Sequence, residues 1–201
     1  MGVTSVPPIR DFNPVYQDYS PAARLQSRPP VSEVSVYLDV VSVSRFAVLA
    51  GPLNLDALTD TVREAHAGGI GAVATFAGLV RAEHLGRTVT HLDYEAYEPL
   101  AVKSFSRIAG EIADAWPDAT IGVHHRVGRV NIGEASIVIV SVSAHRGAAF
   151  AACRYVIERV KQIAPVWKHE HFEGGDVWIE GATAQPDDEG AREEARKRAC
   201  A

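Results

Sequence analysis

The segment Ser143-Ala144-His145-Arg146 is the first candidate for chemistry, because it joins an apolar stretch to the predicted start of a helix. Unpaired backbone N–H groups and the helix dipole favour an anion at such a position. An arginine there works against the dipole, at a cost of ~0.3–1 kcal/mol, and phosphate binding would give a reason for it. Alternatively, Arg146 is solvated and His145 packs in the core. The residues alone leave both interpretations open.

Three further cations lie near the ends of predicted elements. Arg81 follows an apolar strand, Lys161 lies in the last turn of a helix, and Lys168 lies on the strand after that helix. A helix that returns through a short loop can bring the two amines together. The ordinary alternatives are a solvated loop arginine and a lysine that complements the dipole of its helix. Lys168 lies in a polar strand alternation, where a long cation usually has a carboxylate partner or a ligand.

These cations together suit a small, multiply charged anion. Hydrolysis through a serine nucleophile is disfavoured, since Ser143 lacks the G-x-S-x-G turn that would expose it. The predicted cationic site comprises Arg81, His145, Arg146, Lys161 and Lys168.

The histidines suggest a metal site, which the residue pattern disfavours. His169 and His171 share a strand face, and His124 and His125 lie on another strand. No Cys-x-x-Cys or H-E-x-x-H motif accompanies them, and Lys168 beside the pair would repel a dication. We therefore expect no metal and no cofactor.

Composition narrows the class of protein. The chain has 201 residues, which fits one core domain, and its net charge of -5 argues against general nucleic-acid binding. It lacks an apolar run long enough to cross a bilayer and a secretory signal, so no membrane association and a cytoplasmic location are expected. With two cysteines, a disulfide framework is not expected.

Three regions follow from composition and periodicity. Residues 1–33 are rich in Pro, Ser and Arg and are predicted to be a poorly ordered extension. Residues 34–181 form the folded domain, and 182–201 form a charged tail that we expect to be mobile. In order, the elements predicted within the domain are strand 34–48, a helix capped by Asn54, strands 71–80 and 90–97, a helix ended by Pro117, strands 120–130 and 134–144, helix 146–162, and strands 166–172 and 176–181.

This order predicts an α+β fold with a mixed, largely antiparallel sheet and three helices. Short turns, such as Glu173-Gly174-Gly175, indicate hairpins between neighbouring strands. A doubly wound nucleotide fold is disfavoured, since no G-x-G-x-x-G or P-loop follows a strand.

At the candidate residues the sequence resembles the large, catalytic subunit of molybdopterin synthases. The resemblance runs from about residue 46 to 181, and its last two motifs together are quite specific. The matching stretches, in the family's order and spacing, are TFAGLVR (75–81), LDYEAYEPLA (92–101), HRVG (125–128), SAHRGAAF (143–150) and KQIAPVWKHE (161–170).

The resemblance implies an α/β-hammerhead fold and a dimer of large subunits, with a small ubiquitin-like sulfur carrier at each end of a heterotetramer. It implies a sulfurtransferase that moves sulfur from the carrier's C-terminal Gly-Gly thiocarboxylate to cyclic pyranopterin monophosphate, which forms the dithiolene of molybdopterin. Two weaker alternatives are a non-catalytic module that binds a phosphorylated metabolite and a scaffold that recruits the carrier.

The resemblance also implies roles for individual residues. Lys161 and Lys168 match the family's catalytic lysines, and Arg81, His145 and Arg146 match its substrate-binding positions. Position 79 departs from relatives that carry a basic residue there. The pocket neighbours carried over by motif position are Leu79, Val80, His169 and Glu170.

Overall fold

The computed structural model describes residues 44–179 and 181–201. The predicted extension over 1–33, and residues 34–43 of the first predicted strand, lie outside this part of the chain. In chain order the described elements are β1 (Phe46–Leu49), α1 (Leu55–Ala65), β2 (Ala72–Leu79), β3 (Glu83–His84), β4 (Arg87–Ala96), α2 (Glu98–Ala115), β5 (Ala119–Arg126), β6 (Gly128–Asn131), β7 (Ala135–Ser143), α3 (Arg146–Ile163), β8 (Val166–Phe172), β9 (Gly175–Ile179) and α4 (Glu189–Cys200).

The first sheet has the order β1-β5-β7-β2 and forms the centre of the core. β1 is parallel to β5, and the other neighbours are antiparallel. β7 is buried on both faces, since Val138, Val140 and Val142 pack with α1 while Ile137 and Ile139 belong to the core cluster that includes α2 and α3. A strand covered on both faces reads as a continuous apolar run, as β7 does. The predicted α+β class with largely antiparallel pairing is confirmed.

The second sheet is built around β4, which pairs antiparallel with β8 on one side and with β3 and β6 on the other, while β9 pairs with the far edge of β8. The run predicted as one strand over 120–130 is therefore two strands in two sheets. Val127 separates them, and Gly128 has a φ of +76°, a left-handed conformation that glycine adopts readily. This break carries the chain from the first sheet to the second.

A fourth helix, α4, lies where the sequence analysis expects a mobile tail, so the prediction of three helices is wrong by one. Asp188 caps α4, since its carboxylate accepts a hydrogen bond from the Ala191 N–H at 2.9 Å. Ala195 and Ala199 are buried in the core cluster. Because the buried side chains are small alanines, the sequence shows no apolar stripe there. No described helix is long and apolar enough to span a membrane.

A buried ion pair links α2 to α3. Arg159 is fully buried, and its Nε and Nη2 each donate to the Glu111 carboxylate at 2.8 Å. The Tyr155 hydroxyl donates to the same carboxylate at 2.7 Å. Burial alone would raise the pKa of Glu111, but the hydrogen bonds from Arg159 and Tyr155 hold it below its ordinary value. Glu111 is therefore charged in the folded protein.

Replacing Arg159 by leucine is expected to lower the free energy of unfolding by about 3–5 kcal/mol, because it leaves the Glu111 carboxylate buried without its cation. Urea denaturation measures the change. The matched control is Arg63→Leu, which removes an exposed arginine on α1 and should cost less than about 1 kcal/mol. Equal effects of the two substitutions would contradict this interpretation of the ion pair.

Candidate functional site

A cavity of about 620 Å³ lies where the end of β2, the last turns of α3 and strand β8 come together. Arg81, Lys161 and Lys168 all line it. The structure thus brings together three of the five predicted cations, from the segment after β2, from α3 and from β8. We call this the cation cavity. Its apolar lining includes Phe76, Leu79, Ile137, Ile157, Val160 and Val166.

Lys168 is the half-buried cation of the group. Burial lowers the pKa of Lys168, and the positive charges of Arg81 and Lys161 lower it further, while the Glu170 carboxylate opposes the shift. These effects indicate that the three cations lie within electrostatic range of each other. An anion bound among them would relieve their mutual repulsion.

Glu170 lies beside Lys168 in a smaller recess of about 120 Å³, which Leu79, Val80 and Arg81 also line. Only 2% of Glu170 is exposed. Because a carboxylate can only accept, His84 Nδ1–H donates to it, at 2.9 and 3.0 Å from the two oxygens. Leu79 therefore lines both the cation cavity and the recess, to which it contributes an apolar side chain, while Val80 and Glu170 line the recess.

His169 does not line the cation cavity or its recess. Side chains alternate along β8, so Lys168 and Glu170 face the cavity and His169 faces the opposite side of the sheet. There its ring stacks on Trp178 at 4.4 Å, and its Nε2 contacts the Asp176 carboxylate at 2.6 Å. The cavity of a single chain therefore does not include His169, which the resemblance places among the pocket neighbours.

His145 and Arg146 are exposed at the start of α3, far from Lys161 near its other end. Fifteen residues of helix separate Arg146 from Lys161, which is about 22 Å at the usual rise. The expectation that all five cations meet is therefore not met within one chain. At the junction itself, the Asp118 carboxylate accepts hydrogen bonds from Ser143 Oγ at 2.8 Å and from the Ala144 N–H at 2.9 Å. These bonds lower the pKa of Asp118.

Tyr94 and His125 also line the cation cavity. The sequence analysis considers His125 only as a possible metal ligand and does not assign Tyr94 to the site. Their rings meet edge to face at 5.2 Å. His125 Nδ1–H donates to the Arg126 carbonyl at 2.8 Å, which leaves Nε2 as an acceptor, and burial lowers the pKa of His125. Both residues belong to the stretches LDYEAYEPLA and HRVG, so the motifs contained the signal that identifies them.

Lys161 also borders a groove of about 560 Å³ beside the cation cavity, lined by Phe76, Phe150 and Cys153 among others. Burial raises the pKa of the Cys153 thiol to about 11. The thiol is therefore protonated near neutral pH and is a poor nucleophile. Among the described residues that line the cation cavity there is no cysteine.

The cation cavity should lose its affinity for a phosphate anion as the pH rises and Lys168 loses its proton. Because the pKa of Lys168 is lowered, this loss should occur at a lower pH than it would for an ordinary lysine. Glu170→Gln removes the carboxylate that opposes the shift, so the alkaline midpoint of binding should move to still lower pH. Calorimetric titration with pyrophosphate across the alkaline range measures it. In the control, Glu95→Gln on the opposite face of β4, the midpoint should not move. A midpoint that stays fixed or rises in Glu170→Gln would contradict the assignment.

The sequence of this chain is similar to one family model and to curated relatives. Residues 48–163 match the family model described as "MoaE protein". The molybdopterin synthase catalytic subunit of Bacillus subtilis is 42% identical over 137 residues, covering 68% of this chain and 85% of the relative. That of Halalkalibacterium halodurans is 40% identical over 135 residues, covering 67% and 85%.

Two solved structures extend the comparison. The crystal structure of molybdopterin synthase from Staphylococcus aureus matches with a TM-score of 0.65 and 33% identity, over 69% of this chain and 98% of that one. A complex of subunits 1 and 2 of the molybdopterin-converting factor from Helicobacter pylori matches with a TM-score of 0.57 and 25% identity, over 68% and 91%.

Proposed function

Because this chain belongs to the MoaE family, whose members include molybdopterin synthase catalytic subunits, we propose that it is the sulfurtransferase of molybdenum cofactor biosynthesis. In this proposal it transfers sulfur from the C-terminal thiocarboxylate of a small carrier protein to cyclic pyranopterin monophosphate. The H. pylori complex of two subunits supports a small-subunit partner. The observation that carries the proposal is the cation cavity, in which Arg81, Lys161 and Lys168 meet.

The substrate's phosphate fits the charge of this cavity. Hydrogen bonds between a phosphate and arginine or lysine are about twice as strong as neutral ones, and partial burial strengthens them further. We assign the phosphate to Lys168 and Arg81. The apolar lining, with the edge-to-face pair of Tyr94 and His125, leaves room for a flat ring system.

We assign the sulfur to a source outside the chain, since the described lining of the cavity has no cysteine and the thiol of Cys153 is protonated near neutral pH. The thiocarboxylate sulfur bonds to a pterin carbon as that carbon's bond to an oxygen of the cyclic phosphate breaks, so the opened phosphate monoester is the leaving group and a thioester forms. Water then cleaves the acyl–sulfur bond, which leaves a thiolate on the pterin and a carboxylate on the carrier. A second carrier supplies the second sulfur at the neighbouring carbon, whose oxygen leaves as water. Lys161 is exposed at the side of the cavity next to the groove. We assign it to the incoming thiocarboxylate and to the negative charge that develops during transfer.

A second copy of the chain supplies His145 and Arg146 in this proposal. The pair lies about 22 Å along α3 from Lys161, farther than an arginine side chain reaches. A two-fold dimer places the start of α3 from one copy beside the cavity of the other, and both sites then form by the same contact. This arrangement explains how residues at opposite ends of one helix act on one substrate.

Lys161→Ala should reduce sulfur transfer by at least about 10²-fold, the usual cost of removing one group that stabilises developing charge. The assay mixes the chain with purified thiocarboxylated carrier and the cyclic pterin and measures molybdopterin. Lys103→Ala on α2, also an exposed lysine, serves as control and should transfer sulfur normally. Near-native turnover by Lys161→Ala would discard the assignment, and pterin binding without turnover by the wild-type chain would favour a binding module.

Mixing two inactive variants tests the dimer. If Lys161 and Arg146 act across the contact, dimers of Lys161→Ala with Arg146→Ala contain one intact site. Random pairing in equal amounts makes half of the dimers mixed, so about a quarter of wild-type activity should return. Activity is measured after the two chains are produced together. If no activity returns, although mixed dimers are detected by mass spectrometry, the two residues belong to one chain's site and the shared site is rejected.

A further inference from the structure

The face of the second sheet opposite the cation cavity carries a cluster that the proposed reaction does not use. It contains His91 and Asp93 on β4, His169 and His171 on β8, and Asp176 on β9, and we call it the histidine face. His91 pairs with His171, and Asp93 with His169, across neighbouring strands. Alternation places Lys168 on the other side of the sheet. Lys168 therefore does not lie beside this cluster, as the sequence analysis assumes, and its repulsion of a dication is weakened by the separation across the sheet.

Two imidazoles of this face converge on one carboxylate oxygen. Asp93 Oδ2 lies 2.9 Å from His171 Nε2 and 3.5 Å from His91 Nε2. The two rings stack with their centroids 4.2 Å apart. Ligands of a tetrahedral zinc ion, at ~2.0–2.1 Å from the metal, lie about 3.4 Å from each other. The two measured distances bracket this value, and one ligand atom from each of the three residues lies within 4.8 Å of the others. The rings are nearly parallel, at 10°, so they must turn for both lone pairs to reach one ion.

Hydrogen bonding from Thr90 sets the tautomer of His91. The Thr90 hydroxyl has one proton, which it donates to the His171 carbonyl at 3.1 Å. It must then accept from His91 Nδ1–H, 3.1 Å away, which leaves a lone pair on His91 Nε2. Metal-binding histidines commonly have the other ring N–H fixed in this way. A lone pair directed toward a carboxylate is unfavourable unless a cation lies between them.

The same nitrogens approach the Asp93 carboxylate without forming a well-aligned hydrogen bond to it. Among the described residues, His91 Nε2 and His171 Nε2 are shielded from solvent and form no hydrogen bond of good geometry. A buried polar atom without a partner is costly, and an ion bound to both nitrogens would remove the cost.

We propose that His91, Asp93 and His171 bind one divalent transition-metal ion, with Zn²⁺ as the representative of its class. Two imidazoles and one carboxylate are a donor set that zinc accepts, with water in the fourth position. The exposed Arg129 lies 3.6 Å from Asp93 Oδ1, and it orients the carboxylate with Oδ2 toward the imidazoles. His169 lies outside the ligand set, because its ring is already hydrogen-bonded to the Asp176 carboxylate. The centroids of the His169 and His171 rings lie 4.3 Å apart.

Such an ion would join β4 to β8 behind the cation cavity. These strands carry Tyr94 and Lys168 on their cavity side. The role that follows is structural, since the ion and the cavity lie on opposite faces of the sheet. The inference does not depend on the proposed sulfur transfer, because metal binding can be measured without carrier or pterin.

Isothermal titration of the untagged, metal-free chain with Zn²⁺ tests the proposal. One equivalent should bind. His91→Asn and His171→Asn should each weaken binding by at least about 100-fold, which exceeds the usual effect of removing a residue that only hydrogen-bonds to a metal ligand. Thr90→Val should weaken it by about 10–100-fold, since it removes only the group that fixes the tautomer. Zinc should also raise the melting temperature of the wild-type chain and not that of His171→Asn.

His66→Asn and His169→Asn are the matched controls, since both remove a partly buried histidine outside the proposed ligand set, and both should bind zinc as the wild type does. Nitrogen NMR of the metal-free chain should find the proton of His91 on Nδ1, a result that does not require any variant to fold. Failure of the wild-type chain to bind Zn²⁺, normal binding by a folded His91→Asn, or loss of binding in His169→Asn alone would each overturn the assignment.

Discussion

The site depends on one constraint, which is the electrostatic repulsion among the three cations that line the partly buried cation cavity. Arg81, Lys161 and Lys168 come from a strand end, a helix end and a strand interior, and the chain must hold them together without a ligand. Glu170 provides the compensating charge, and His84 in turn holds Glu170 through both of its oxygens. One buried carboxylate against three cations leaves the cavity positive, which is what an anionic substrate requires.

Each of the two sheets positions some of these groups. The first sheet, covered by helices on both faces, supplies β2 and fixes α3, so Arg81 and Lys161 are set by the core. The second sheet supplies Lys168 and Glu170 from one face of β8. Because alternate residues face opposite sides, the same strand presents His169 and His171 to another environment. Strand alternation thus separates a positively charged cavity from a face rich in histidine and aspartate.

Much of the fold could be predicted from local signals. Asn54 caps α1, Pro117 follows α2, and the apolar run of β7 is central, as periodicity indicates. Gly128 marks the step between the sheets, but a glycine within a β-rich run does not say which strand pairs with which. The tail helix could not be found from hydrophobicity, because Ala195 and Ala199 fit against α3 by being small. Long-range pairing and close packing of small residues are the features that local patterns do not encode.

Part of the site could also be predicted, from the path of the chain, strand alternation and helix length. The return of the chain after α3 brings Lys161 and Lys168 together, as expected. His169 could have been assigned to the other face from alternation alone, since it neighbours Lys168 on a strand. The separation of Arg146 from Lys161 also follows from the length of the predicted helix. The proposed contact between two copies cannot be derived from the sequence of one chain, because a self-complementary surface has no periodic signature.

A crystal structure of the assembled protein with a bound cyclic pterin phosphate tests most directly whether these cations serve one anion. The phosphate is expected to contact Lys168 and Arg81 of one copy and Arg146 of the second copy. A phosphate bound away from Lys168, or an assembly in which the start of α3 faces solvent far from every cavity, would contradict the account.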